Sequence, residues 1–98
     1  MSIDGRWDIE TKTPMGIQRS SITLEVKEGV VNGVSVADGV QREFSGTADG
    51  DHAEWALEVT QPFKMTLGFS VDVEGDAMTG KVKTAMFGSF PLTGSRIA

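Results

Sequence analysis

Cysteine is absent from this 98-residue sequence. That excludes disulfides, a thiolate metal site and a thiol nucleophile, and it suits a reducing compartment. Histidine occurs once, at His52. One imidazole without cysteine does not make a zinc site, and it leaves no evident Ser–His–Asp arrangement. No apolar run approaches a membrane span. Met1-Ser2-Ile3-Asp4 has neither the basic start nor the apolar stretch of a signal peptide, so the expected location is cytoplasmic. Basic residues neither dominate nor cluster: Lys plus Arg total 9 against 14 Asp plus Glu, for a net charge of −5. Nucleic-acid binding needs a positive face and is not expected. The acidic residues Asp49, Asp51, Glu74 and Asp76 flank glycine turns without forming a DxDxDG loop, so they read as solvated turn tips. No window carries apolar residues at helical spacing without glycine or β-branched interruptions. No catalytic residue, metal or cofactor is expected from this inventory, and an enzyme is the least supported of the functions considered.

What remains is period-2 alternation punctuated by glycine. The segment Gly75–Arg96 shows it most clearly. Met78, Gly80, Val82, Thr84 and Met86 share one face, and Thr79, Lys81, Lys83 and Ala85 share the other, the signature of a half-buried strand. A turn at Phe87-Gly88-Ser89 returns a strand with Phe90, Leu92, Gly94 and Arg96 on one face. The same grammar predicts strands at Gly5–Thr13, Ile17–Lys27, Val30–Ala37, Val40–Ala48, Asp51–Gln61 and Lys64–Val73. Their inner sets are Trp7, Ile9 and Thr11; Ile22, Leu24 and Val26; Val31, Gly33 and Ser35; Val40, Arg42, Phe44 and Gly46; Ala53, Trp55, Leu57 and Val59; and Met65, Leu67, Phe69, Val71 and Val73. In the third strand the opposite parity, Val34 and Val36, is nearly as apolar. Asp38-Gly39 and Asp49-Gly50 are hairpin signals.

Eight strands joined by short turns predict one all-β domain over residues 1–98, an antiparallel up-and-down meander closing into a small barrel. Closure removes two long edges that would invite aggregation. An internal echo supports the reading: Val31-Asn32-Gly33, Phe44-Ser45-Gly46, Met78-Thr79-Gly80 and Leu92-Thr93-Gly94. Inward glycines let the strands of a small barrel coil tightly. Pro91 sits in the last strand and cannot donate to a ladder. It leaves two departures from full closure open: an imperfect seam between first and last strands, or a split barrel.

Gly5-Arg6-Trp7 on the first strand resembles the Gly-x-Trp motif of the lipocalin and calycin group. Thr93-Gly94-Ser95-Arg96 resembles that group's terminal strand, whose basic residue packs across the first-strand tryptophan. The resemblance implies an up-and-down barrel, eight-stranded as in lipocalins and avidins, that binds a small, often hydrophobic, ligand. Trp7 and Arg96 then close one end as fold markers. The chain is shorter than a typical lipocalin and lacks its cysteines and C-terminal helix.

Alternate turns of a meander lie at the same end. One end collects the tight polar turns at Glu28-Gly29, Asp49-Gly50 and Glu74-Gly75-Asp76. The other collects Pro14-Met15-Gly16, Asp38-Gly39, Pro62-Phe63 and Phe87-Gly88, which would cluster Met15, Phe63, Met86 and Phe87. Apolar loops at one mouth read either as a ligand entrance or as a plug. Strand parity places Arg42, Gln18, Ser20 and Thr84 just inside it. An inward arginine is costly unless paired, so Arg42 bonds internal polar groups or holds an anionic ligand group; a shifted strand would instead turn it to water. The expected partner is a small apolar ligand or one with an acidic head. The alternative is an interaction module with a filled barrel, forming a homodimer. His52 has outward parity and reads as a surface residue.

Overall fold

The alternation becomes eight strands: β1 (Gly5–Thr13), β2 (Gly16–Lys27), β3 (Val30–Ala37), β4 (Val40–Asp49), β5 (His52–Val59), β6 (Met65–Glu74), β7 (Ala77–Thr84) and β8 (Gly88–Ile97). They come from a computed structural model that describes residues 3–14, 16–37, 39–59, 64–84 and 88–97. Each strand pairs antiparallel with its sequence neighbours, and β8 returns to β1, so the meander is a closed barrel. The inner positions carry the core: Trp7, Ile9, Ile22, Leu24, Val31, Phe44, Trp55, Leu57, Val71, Met78, Val82 and Leu92 are all buried.

Turn chemistry sets the registers. Glu28 (φ 52°) and Gly29 (φ 78°) are both left-handed between the paired residues Lys27 and Val30. Two positive φ values define a type I′ turn, whose twist matches that of the flanking strands. Val26 therefore faces Val31, and the ambiguous third strand resolves with Val31, Gly33 and Ser35 inside. Val36 is left 43% exposed on the outer wall. The next turn is centred one residue later than its Asp-Gly signal. Asp49 pairs with His52, and Gly50 (φ 61°) and Asp51 make the corner. A two-residue turn at Asp49-Gly50 would set Phe44 opposite Trp55; the observed turn sets Gly46 there instead. The slip is two residues, so no side chain changes face.

Pro91 does not spoil the seam. Arg96 donates its backbone N–H to Asp76 O, so the even-numbered residues of β8 direct their amides at β7 and the odd ones at β1. Pro91 is odd, and the β1–β8 ladder stops one residue short of it, at Thr11 and Leu92. The missing donor falls just past the end of the ladder.

The opening lies elsewhere. The β4–β5 ladder runs from Asp49 and His52 only as far as Gly46 and Trp55, although β4 extends back to Val40 and β5 on to Val59. Gly46 is the pivot. A Cβ there would lie 1.9 Å from Glu54 O, so β5 passes where a side chain would stand. Beyond this crossing the two strands part. Gly80 repeats the close approach against β6, with Ser70 O 2.1 Å from the position of a Cβ.

Alanine at these two positions meets backbone rather than a yielding side chain. Gly46→Ala and Gly80→Ala are each expected to lose about 1–3 kcal/mol of stability, the cost of overpacking. Gly68 is the control. A Cβ there meets only Lys83 Cβ, at 3.9 Å, and no positive φ is at stake. Gly68→Ala should be neutral or stabilising by up to about 1 kcal/mol. Urea midpoints of the three variants test this.

Candidate functional site

The two ends differ in what closes them. At the end bearing the Glu28-Gly29, Gly50-Asp51 and Gly75-Asp76 turns, the N-terminal residues fold across the opening. Ile3 is 1% exposed, and its carbonyl accepts the Trp7 indole N–H at 2.9 Å. Asp4 accepts the Val26 backbone N–H at 3.0 Å. Arg96 lies over the Trp7 ring, with Cζ 4.3 Å from its centroid. Its guanidinium donates to Asp4 O, to Gly75 O at 3.3 Å and to Asp76 Oδ1 at 3.0 Å. Gly5 makes room, since a Cβ there would sit 2.7 Å from Arg96 Nη1. The expected pairing of Trp7 with Arg96 is present, and this end is plugged.

The middle is filled by stacked aromatics. Phe44 lies 4.9 Å from Trp55 with 16° between planes, and Trp55 lies 5.3 Å from Phe69 with 12°. The Phe44 ring also covers Gly33, where a Cβ would come within 2.3 Å of it. An aromatic laid over an inward glycine protects the exposed backbone.

Between this stack and the far end, the inner positions turn partly polar. Ser35 is buried, Ser20, Arg42 and Thr84 are half-buried, and the inner residues Leu57 and Leu67 pair across β5 and β6. Arg42 has the inward parity expected of it and pairs across β3 with Ser35. Its Nη1 donates to Glu58 O across the β4–β5 gap at 3.4 Å, a long bond. Among the described residues no carboxylate stands within ion-pair distance of it. Thr84 donates to Gly88 O at 3.0 Å. Gln18 departs from expectation by being exposed. It pairs with Thr11 of β1, but the β2–β3 ladder ends at Ser21 and Val36, so this part of β2 stands clear of β3. Arg42, Gln18 and Thr84 thus share an end, and no hydrogen bond among the described residues links them. Met15, Phe63, Met86 and Phe87, the apolar part of the expected mouth, lie outside the described residues.

His52 faces outward, as its parity requires, yet it is bound on both sides. Nδ1 lies 2.9 Å from Asp72 Oδ1 and Nε2 lies 2.8 Å from Glu54 Oε2. Ionised carboxylates only accept, so this geometry suits the doubly protonated ring. The bond to Glu54, then that to Asp72, raises the histidine pKa above its ordinary 6.5. Both ring nitrogens are occupied by carboxylates, and among the described residues no group of acids and histidine is placed to hold a metal ion. Sequence parity located His52 but not its partners. Asp72 is brought opposite it by the β5–β6 register, which the alternation alone does not fix.

No protein-family model matches the chain, and no curated protein matches it. Among solved structures it is similar to a redesigned β-barrel, with a TM-score of 0.70, 11% identity, and coverage of 98% of this chain and 92% of that one. At that identity the likeness is one of fold. Among the described residues no helix is long and apolar enough to cross a membrane.

Two stability tests follow from the closed end and the histidine. Arg96→Ala removes a desolvated cation–π contact and charged hydrogen bonds together. It should cost about 2–3 kcal/mol in urea unfolding. The His52 pKa is raised on folding, so its stabilisation is full below about pH 6.5 and fades as pH climbs through the folded value. The carboxylates around it are Asp72 and Glu54, with Asp49 its cross-strand partner. The stability gap between wild type and His52→Gln should therefore be larger at about pH 5.5 than at about pH 8.5.

Proposed function

We propose that this chain is a non-enzymatic binding protein whose unplugged end holds a small ligand with an apolar body and an acidic or hydrogen-bond-accepting head. The observation that carries the reading is Arg42, a half-buried residue of inward parity whose single partner among the described residues is a carbonyl at 3.4 Å. A cation at an inward position without a counter-charge favours an acidic group, and a carboxylate head would engage it through charge-assisted bonds. Ser35 and Thr84 supply further polar atoms at that end, and Leu57 and Leu67 supply apolar contact. In the sequence, the connections there also carry Met15, Phe63, Met86 and Phe87, whose adaptable side chains suit varied ligand shapes. The Arg96 contact with Trp7 supports a calycin-like reading, in which one end is sealed and the other receives the ligand.

A homodimer is the second reading. Ile17, Val36 and Val40 are 52%, 43% and 48% exposed toward the same end, and a barrel centre occupied by Phe44, Trp55 and Phe69 leaves little room beneath the mouth.

A thermal-shift panel of fatty acids and aromatic acids separates the two, because a ligand that binds only the folded state raises its melting temperature. Acidic ligands should stabilise the wild type more than neutral analogues of the same shape. Arg42→Met should abolish that preference while preserving the fold. No shift across the panel, together with dimerisation lost on Val36→Asp, would replace the carrier by the dimer.

A further inference from the structure

Among the described residues the buried set contains a single polar side chain, Ser35, at 9% exposure. It points inward, because Val34 and Val36 hold the outer positions beside it and its ladder partner Ile22 belongs to the core. No hydrogen bond among the described residues reaches its hydroxyl. Sealing such a group in the interior without a partner is costly. No fully buried side-chain nitrogen or oxygen among the described residues is left in that state. The Ser35 hydroxyl is therefore still within reach of solvent, and since its face is the inner one, it is reached from inside the barrel. The residues around it define a corner. Arg42 is its ladder partner on β4. On β2, Ser20 shares the inner face with Ile22, is half-buried, and likewise has no side-chain hydrogen bond among the described residues. The next inner pair toward the plugged end is Gly33 and Phe44, where the phenylalanine ring covers the glycine. Inward polar groups from three consecutive strands thus stand over an apolar floor, the composition of a small-molecule head-group site.

We propose that Ser35 sets head-group specificity at the open end: its hydroxyl donates to one oxygen of a carboxylate whose other oxygen takes Arg42. The head then sits at the corner of β2, β3 and β4, and the apolar body lies across the barrel toward Leu57 of β5 and Leu67 of β6. This rests on the ligand-binding reading above and adds to it the second contact, the depth and the direction of the ligand. Depth is limited by the stack of Phe44, Trp55 and Phe69, which spans β4 to β6 and bars the head from descending further. Two donors on adjacent strands orient a planar carboxylate in a way that one does not. A serine hydroxyl also bonds more strongly to a charged oxygen than to a neutral one, so it adds to the preference for acids that Arg42 creates.

Two measurements on the intact chain test this. The first is urea unfolding of Ser35→Ala without ligand. A hydroxyl that bonds to nothing in the fold contributes nothing to it, so the midpoint should equal or exceed that of the wild type. A lower midpoint, or a variant that does not fold, would show that the hydroxyl is already spent inside the barrel and would overturn the proposal. The second is titration calorimetry with octanoate and 2-naphthoate, each beside its primary amide. Ser35→Ala should weaken the acids about tenfold and the amides about threefold at most. Arg42→Met, which tests the underlying reading, should bring acid and amide to similar affinity. If neither acid binds the wild type, the ligand-binding reading fails and this inference falls with it. If the acids bind, lose their preference on Arg42→Met and are unaffected by Ser35→Ala, the reading stands and the assignment of Ser35 is wrong, its hydroxyl then serving water alone.

Discussion

The barrel depends first on one arginine at the point where the chain's two ends meet. Arg96 sits in the last strand, stacks on Trp7 of the first, and reaches Asp4, Gly75 and Asp76 with its remaining donors. A meander gains its closing ladder only when β8 returns to β1, a pairing that spans nearly the whole sequence. That contact bears the largest loop-closure entropy in the fold. A planar cation holding both strands and a turn with one side chain is well suited to it, because its donors are preorganised. Trp7 supplies the matching apolar plate and spends its own N–H on Ile3 O, which draws Ile3 into the end as a plug.

Sealing one end fixes what the other can be. The aromatic stack of Phe44, Trp55 and Phe69 fills the girth of a barrel this small, so any ligand site must be shallow and lie above it. The same crowding explains the pivot at Gly46. Trp55 and the β5 backbone press against β4 there, and glycine is the residue that permits it. The strands then diverge instead of running on in register, and the gap is spanned by a side chain, Arg42, in place of ladder bonds. Closure at the β1–β8 seam and opening at β4–β5 are thus two outcomes of fitting bulky residues inside a short barrel.

Much of this was legible in the sequence. Period-2 alternation assigns nearly every inner residue, because a strand that buries one face cannot slip by a single residue without exposing its core. The repeated apolar–polar–glycine units mark where strands coil, and the terminal motifs place Trp7 and Arg96 together. The gap was not legible. In the sequence Pro91 points to the terminal seam, but a proline is harmless where its nitrogen points past the end of a ladder. The β4–β5 register differs from the one implied by Asp49-Gly50 by two residues, and parity cannot detect an even shift. Gln18 carried inward parity and is exposed all the same, because facing inward buries nothing where the neighbouring strand has stopped. His52 was readable as outward, while its clasp by Asp72 and Glu54 is a product of register and so appears only in three dimensions.

Arg42 ties the β4–β5 gap to the proposed ligand site, and this has an energetic consequence. Its one bond among the described residues holds Glu58 O across the gap. A carboxylate bound at the mouth would compete for the same guanidinium and leave Glu58 O without its donor. That loss offsets part of the charge-assisted gain, so an acid's net advantage over a neutral analogue is smaller than an unengaged guanidinium would give. Since the bond forfeited is one long hydrogen bond, the offset should be small, about tenfold at most in affinity.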